Sequence, residues 1–454
     1  MSSAPKPLPA APSARLLLPV LLVALALCVP AARAEMCTLD AVPAATLLLP
    51  YFEVDIENDD CVNTLFSINN ASAAPALAHV VFWTDWSAPT IDFDLYLTGY
   101  DVVTVNLRDV FLGTLPITAT DVVDPNDAVS PHGNNPAWDG DFPNCEAFFP
   151  FPDPVVTGTA FDRLSNGHRG LPVASLGGAC LGQSFDDGIA RGYMTVDNVN
   201  ECSLVLDPND PLYFTSITSN VNQLWGDYFI VDPIEGSAFG DSLVHIEAED
   251  GFDASSSPTN YTFYGRYTQA LGGIDNREPL GTSWATRFLD GGAFTGGTDL
   301  IVWRDSTANN LLPSGATCGV GPDWLPLNET QVVVFDEAED AVEPCFFIGG
   351  VISPPDDADP ACFPYEAGRY PFGEAPLSSP FDFGWVFLNL NLPPDAPTGD
   401  VDFPAGGGNI AQSHVTAVHT ASGLFSVGLQ AVELTSACDN LDPLILGDYP
   451  LYQD

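Results

Sequence analysis

Residues 52–57 of the chain read FEVDIE, a strict alternation of apolar and acidic side chains. The same period of two recurs in residues 103–108, 244–249 and 425–431. Successive side chains of a β-strand point to opposite faces, so this pattern predicts strands with one buried and one wet face. No long amphipathic helix is evident, and 41 prolines and 39 glycines interrupt the pattern. The sequence therefore predicts an all-β protein of one or two antiparallel β-sandwich domains.

Long acidic loops rich in proline and glycine separate the predicted strands. Loops of this length are uncommon in a compact domain and often carry function. A break in the strand pattern at residues 249–258 predicts a boundary between an N-terminal sandwich, residues 35–255, and a C-terminal sandwich, residues 256–454. Similar segments precede the strands that carry Trp83 and Trp303, which indicates either an internal duplication or the common plan of two sandwiches.

The N-terminus has the three parts of a secretory signal peptide. Lys6 and Arg15 make it positive, residues 16–29 form an apolar run, and small residues end at Ala34. We expect cleavage after Ala34, so that the mature chain begins at Glu35 and works in the periplasm or the medium. An uncleaved anchor is the alternative, but the run is shorter than the roughly 20 residues of a membrane span. No later stretch predicts membrane insertion.

Removal of the signal peptide takes Cys28 away and leaves nine of the ten cysteines. In an oxidising compartment most of them are expected to form disulfides. Because nine is odd, at least one is free or pairs between chains. None lies in a C-x-x-C motif, so the spacing does not indicate a zinc or thioredoxin-like site.

The charge of the mature chain is strongly negative. The signal peptide holds three of the twelve basic residues, and the remaining nine arginines against 60 acidic residues give a formal charge of −51. Nucleic acids and anionic membrane surfaces are excluded as partners, because both need basic patches. The acidity has two competing explanations: adaptation to a saline habitat, or binding of a divalent cation such as calcium outside the cell.

Acidic clusters in the predicted loops are the candidate calcium ligands. None matches an EF-hand loop, and each also suits an ordinary solvated turn. The residues chosen as candidate metal ligands are Asp55, Glu57, Asp59, Asp207 and Asp210.

Residues 261–305 hold four of the nine mature arginines together with two tryptophans and several acids. One interpretation is a buried network of ion pairs that joins strands. The other is a ligand site in which arginine binds a carboxylate and tryptophan stacks on a ring. The candidate ligand-binding residues are Arg266, Arg277, Trp284, Arg287, Trp303 and Arg304.

No catalytic constellation is complete in the sequence. Residues 240–243 spell the GDSL signature of a lipase and esterase family, but no histidine follows an aspartate at the spacing D-x-x-H. We therefore assign Ser242 to a strand. Paired carboxylates for glycoside hydrolysis discriminate nothing in a chain with 60 acids.

Several segments resemble a family of secreted bacterial proteins of unknown function. They are ATLLLPYFEV (45–54), TLFSINNAS (64–72), DLYLTGYDV (94–102), LWGDYF (224–229) and DNREPL (275–280). The resemblance implies export and a bacterial source, and it carries over no catalytic residue. More loosely, residues 64–107 are similar to bacterial immunoglobulin-like surface modules.

The functional expectation is an exported, non-catalytic protein with a structural, adhesive or ligand-binding role, and calcium is its candidate cofactor. A surface polymer or another protein is the expected kind of partner. The alternative is a secreted carbohydrate-active hydrolase that uses two carboxylates.

Overall fold

The computed structural model describes residues between 40 and 435, which all belong to one compact unit, Met36–Asp454. The described residues are 40–117, 142, 145, 155–202, 208, 210, 212–250, 262–265, 267, 275–306, 314–344, 347–348, 351–352, 362–374, 376–392 and 411–435. The predicted signal peptide, the predicted boundary at residue 255, Arg266 and Asp207 lie outside them.

Strands form most of the described structure. The first ten are β1 (Thr46–Asp55), β2 (Asn63–Asn70), β3 (Ala76–Trp83), β4 (Pro89–Leu97), β5 (Val102–Asn106), β6 (Ile189–Asn198), β7 (Leu224–Trp225), β8 (Asp227–Asp232), β9 (Ser237–Ser242) and β10 (Val244–Ile246). The later ones are β11 (Ser283–Leu289), β12 (Thr298–Arg304), β13 (Gln331–Phe335), β14 (Ala341–Val342), β15 (Phe347–Ile348), β16 (Val351–Ile352), β17 (Ala367–Pro371), β18 (Phe383–Asn389), β19 (Ser413–Ala421), β20 (Phe425–Gln430) and β21 (Val432–Glu433).

Four antiparallel sheets contain these strands, apart from the separate hairpin β15–β16, so the predicted all-β class is confirmed. Sheet I has the order β10-β1-β6-β3-β4, and sheet II has the order β5-β2-β8-β9 with β7 beside β2. Sheet III has the order β17-β12-β19-β20, and sheet IV has the order β14-β13-β18-β11-β21. Strands β19 and β20 pair as a hairpin, in which Ala421 lies opposite Phe425.

Two short α-helices accompany the sheets: α1 (Leu107–Phe111) and α2 (Gly158–Gly167). Helix α1 begins directly after β5, where the side chain of Asn106 accepts a hydrogen bond from the backbone N–H of Arg108. This cap satisfies one N–H group at the start of the helix. A 3-10 turn at Ala174–Leu176 and a π-helical turn at Tyr213–Ile217 complete the helical segments described. None of the described helices is long and apolar enough to cross a membrane.

Sheet I is covered on both faces, which defines the position of the functional site. On one face Phe52 of β1 packs against Phe111 of α1, with ring centroids 5.7 Å apart. On the other face Tyr193 of β6 meets Trp303 of β12 at 5.9 Å, so sheet III lies there. The prediction of a wet face is therefore wrong for β1, where Glu53 is only 8% exposed. Its acidic side chain faces a partly enclosed space under sheet III rather than open solvent.

The two halves of the chain form different sheets. Strands β1–β10 form sheets I and II, whereas sheets III and IV contain the strands from β11 to β21 apart from the hairpin β15–β16. The segment after the predicted boundary does not follow this division, because Phe263, Tyr264 and Leu280 belong to the hydrophobic core of sheets I and II. Ile301 of β12 joins the same core. The division into two domains stays a prediction.

The predicted disulfides are confirmed by two bonds, Cys145–Cys202 and Cys180–Cys318. Cys362 is also disulfide-bonded. Among the described cysteines, Cys61 is free. Disulfides of this kind form and persist in oxidising compartments.

Candidate functional site

The predicted arginine and tryptophan residues do not form one site. Arg277 and Arg304 are both completely buried, Trp284 and Trp303 are buried, and Arg287 is exposed on β11. Trp284 donates a hydrogen bond from Nε1 to Ser413 Oγ at 2.8 Å. Trp303 borders a cavity of about 10 Å³, which has room for a single water molecule. Ligand binding by these residues stays a prediction, and the contacts of the two buried arginines are structural.

Arg277 lies in a polar network inside the core of sheets I and II. Its guanidinium Nε is 3.4 Å from Asp197 Oδ1, and Nη1 is 3.5 Å from Asp275 Oδ1. Nε also donates to Thr46 Oγ1, and the hydroxyl of Tyr264 donates to Asp197 Oδ2 at 2.8 Å. Arg277 thus contacts Thr46 of β1, Asp197 of β6 and, in its own segment, Asp275.

Arg304 occupies a second network, between sheets III and IV. Nη1 donates to the carbonyl of Phe363 at 3.0 Å, and Nη2 donates to the carbonyls of Asn328 and Leu390 at 3.1 and 2.7 Å. The nearest carboxylate is that of Glu329, 3.9 Å from Nη1. Burial lowers the pKa of Arg304, although the charge of Glu329 opposes this shift.

The first candidate metal cluster is organised around an arginine. Asp55 Oδ1 accepts the backbone N–H groups of Glu57 and Asn58, and the guanidinium of Arg108 donates to four carbonyl oxygens of residues 55, 59, 61 and 62. These carbonyls, including that of Asp59, are therefore engaged by a side-chain cation.

The second cluster is represented by Asp210, whose Oδ1 accepts the N–H of Leu212 at 2.9 Å. Across the part of the chain that the structure describes, no group of three or more His, Cys, Asp or Glu residues is arranged to hold a metal ion. Calcium binding stays a prediction. It is tested by measuring the melting temperature at increasing calcium concentrations and constant ionic strength, because a ligand that binds the folded protein raises this temperature.

A cleft of about 390 Å³ lies where β1 and β6 of sheet I face β12 and β17 of sheet III. Its lining contains two arginines, two acidic residues, four aromatic residues and three smaller residues. The lining residues are Tyr51, Glu53, Phe185, Arg191, Asp299, Tyr365, Ala367, Gly368, Arg369, Tyr370 and Pro371.

Arg369 on β17 ties together the two acids of the cleft. Its Nε donates to Asp299 Oδ2 at 2.7 Å, diagonally across the paired strands β17 and β12. Nη1 reaches Glu53 Oε2 of β1 at 3.4 Å. The other oxygen of Glu53 accepts a hydrogen bond from the Tyr51 hydroxyl at 2.7 Å. Burial alone would lower the pKa of Arg369, but the charges of Glu53 and Asp299 raise it, so the guanidinium stays charged.

Arg191 and Phe185 also line the cleft. The guanidinium of Arg191 binds Asp187 through two hydrogen bonds, at 2.9 and 2.6 Å. Its central carbon lies 4.7 Å from the ring centroid of Phe185, within the range of a cation–π contact. The ring of Tyr365 is nearly perpendicular to the same ring, with the two centroids 5.8 Å apart. Phe185 nevertheless keeps 46% of its surface exposed.

The loop that carries Phe185 is held by the buried carboxylate of Asp85. Asp85 Oδ1 accepts the backbone N–H of Gln183 at 3.0 Å. A Cβ atom on Gly182 would lie 2.6 Å from the same oxygen, so this close approach requires glycine. Cys180, just before the loop, is bonded to Cys318. Phe185 is therefore presented at the cleft by an anchored loop.

The buried titratable groups predict how stability depends on pH. Burial raises the pKa of Asp85, Glu247 and Glu433 each to about 7. Burial would lower the pKa of His79, but the charge and hydrogen bond of Asp94 raise it to about 9. All four groups bind protons more tightly in the folded protein than in the unfolded chain. We therefore expect the free energy of unfolding to fall between pH 6.5 and 9, by about 3 kcal/mol from His79 alone.

Below pH 6.5 two histidines oppose the three carboxyl groups. Burial lowers the pKa of His168 and of His414 to about 4, so the unfolded chain binds their protons more tightly and their contribution to stability falls on acidification. Because the three carboxyl groups outnumber the two histidines, melting temperatures at constant ionic strength should still rise below pH 6.5, down to about pH 4.5, but with a shallower slope than above it. The variant His79→Gln should flatten the alkaline side, and a wild-type stability that rises from pH 6.5 to 9 would contradict the assignment.

Sequence reasoning missed the cleft. Its arginines, Arg191 and Arg369, lie outside the arginine-rich stretch of residues 261–305, and the structure brings them together from distant strands. One usable signal is the rarity of arginine, because the nine arginines that follow residue 34 have to be shared among 60 acidic residues. The alternation of residues 52–57 predicts a wet position for Glu53, whereas the structure buries this residue.

Compared with known proteins, the chain matches no family model, no curated protein and no solved structure.

Proposed function

We propose that the protein is an exported, non-catalytic ligand-binding protein whose site is the cleft between sheets I and III. The observation that carries this proposal is the cleft of about 390 Å³ with its paired arginines and exposed Phe185. Its volume falls in the range of about 300–1,000 Å³ that small-molecule sites usually have. The ion pairs of Arg191 and Arg369 fix both guanidinium groups before a ligand arrives, which reduces the entropy lost on binding.

Export is supported by the pattern of the first 34 residues and by the two disulfides. A purely structural or adhesive role, the other part of the expectation, needs no cleft with fixed polar groups. The cleft therefore favours ligand binding over assembly. Calcium is not needed for this proposal.

A carboxylate-based hydrolase is the second candidate, because Glu53 and Asp299 face the same cleft. Two-carboxylate hydrolysis needs one group to act as a general acid. Here both carboxylates are engaged by the guanidinium of Arg369, at 3.4 and 2.7 Å. This arrangement supports a role in holding a ligand more than a role in cleaving one.

The test is calorimetric titration of the mature protein with three classes of probe: neutral tetrasaccharides, tetragalacturonate and spermine. We expect at least one class to bind wild type, and the variant Arg369→Met to weaken binding by about tenfold or more. Arg287→Met is the matched control, because Arg287 is an exposed arginine on sheet IV. Chromatography of the neutral sugars after prolonged incubation should show no shortened products.

The proposal would be overturned if none of the three classes bound to the protein, or if Arg369→Met left the affinity unchanged. If Arg369→Met melts at a much lower temperature than wild type, Phe185→Ala replaces it as the test, because an exposed side chain can be truncated without unfolding the chain. Shortened sugars that disappear with Asp299→Asn would establish the hydrolase instead.

A further inference from the structure

We infer that the cleft recognises a neutral sugar ring, which stacks on Phe185 and hydrogen-bonds to the arginine–carboxylate pairs. This inference rests on the proposed function and specifies its ligand. It is carried by three features of the cleft: balanced charge, fixed polar groups of both kinds, and an exposed ring held in place.

The charges that line the cleft cancel. Within the lining, Arg191 and Arg369 are matched by Glu53 and Asp299, and Asp187, which lies outside the lining, adds one further negative charge beside Arg191. No guanidinium is left to neutralise an anionic ligand, and the formal charge of the mature chain, −51, repels anions at long range. A cationic ligand would in turn find both lining carboxylates already paired with Arg369. A ligand without net charge suits this balance.

The polar groups suit a ligand that both donates and accepts hydrogen bonds. A guanidinium has five N–H donors in a fixed plane, and the carboxylates of Glu53 and Asp299 accept several bonds each. Sugar hydroxyl groups do both at once. Because Arg369 already holds both acids in place, a sugar would meet donors and acceptors at defined positions.

Phe185 supplies the apolar part of the site. The residue is 46% exposed, although the Arg191 guanidinium lies over its ring at 4.7 Å and the centroid of the Tyr365 ring is 5.8 Å from its own. The face of an aromatic ring is electron-rich and attracts the polarised C–H groups of a pyranose. An exposed ring that is already ordered loses little entropy when a sugar stacks on it.

The decisive experiment titrates the full mature protein with cellotetraose, maltotetraose, laminaritetraose and chitotetraose, and with tetragalacturonate as the charged comparison. At least one neutral sugar should bind, with an affinity unchanged by salt between about 0.05 and 0.5 M, as expected of an uncharged ligand. Phe185→Ala should weaken binding by about tenfold or more, and Phe185→Trp should preserve it. Phe229→Ala on sheet II is the control, because Phe229 is 49% exposed and lies away from the cleft.

The outcomes separate the two claims. Binding of tetragalacturonate or spermine alone, lost in Arg369→Met, would overturn the neutral-sugar inference and leave the ligand-binding function standing. Neutral-sugar binding that is unaffected by Phe185→Ala would also overturn the inference. Absence of binding by any probe would remove both. Retention of the protein on the insoluble polymer of the preferred sugar, competed by the tetrasaccharide, would distinguish a surface polymer from a free oligosaccharide as the source.

Discussion

Replacing Arg304 by alanine is expected to lower the free energy of unfolding by about 3–5 kcal/mol. The substitution leaves the carboxylate of Glu329 buried without its cation, and it removes the donor from three backbone carbonyls between sheets III and IV. Buried acceptors that lose their donors add a desolvation cost. Urea denaturation monitored by tryptophan fluorescence measures the change.

Arg287→Ala is the matched comparison, because the same residue type lies on the next sheet but is exposed. We expect it to change stability by no more than about 0.5 kcal/mol, as surface substitutions generally do. Arg304→Lys should remain strongly destabilising, since an ammonium group lacks the planar fork that reaches Phe363 and Leu390 together. Equal effects of the two alanine variants would contradict this account of Arg304.

The network around Arg277 should be at least as sensitive. Arg277→Ala leaves both Asp197 and Asp275 buried without their shared cation, which predicts a loss of about 3–5 kcal/mol or a chain that no longer folds. Asp197→Asn retains the shape and can still accept hydrogen bonds from the tyrosine hydroxyls, so a smaller loss is expected. Thermal melting of both variants measures the difference.

A double-mutant cycle isolates the ion pair within this network. Arg277→Met and Asp197→Asn should couple by about 0.5–3 kcal/mol, because each substitution removes the same contact. Additive effects would show that the two side chains act independently and would contradict the network. The cycle remains usable when Arg277→Ala fails to fold, because Met replaces much of the buried volume.

The strand content was predictable because alternation of side chains is a local property of the backbone. The first four residues of the segment FEVDIE do form the end of β1, and residues 425–430 form β20. Which face is wet depends on what covers the sheet, and this is not local. Sheet III covers β1, so Glu53 is buried beside Tyr51 and Arg369 rather than hydrated.

The arginine-rich stretch shows the same limit for the site. Arg277 and Arg304 are close in sequence, yet one enters the core of sheets I and II and the other lies between sheets III and IV. Burial of ion pairs was one of the two interpretations of this stretch, and the contacts of both residues match it. The cleft arginines could not be found from spacing, because Arg369 meets an acid 316 positions away.

The contact between Glu53 and Arg369 also determines how early in synthesis the cleft can form. A ribosome completes β1 early, but the cleft has no second wall until residues 367–371 have been made. Contacts between such distant positions form late, because a long loop must close before they are made. A half-synthesised chain therefore lacks one side of the cleft, and only a chain that has been completed as far as β17 can present the whole of it.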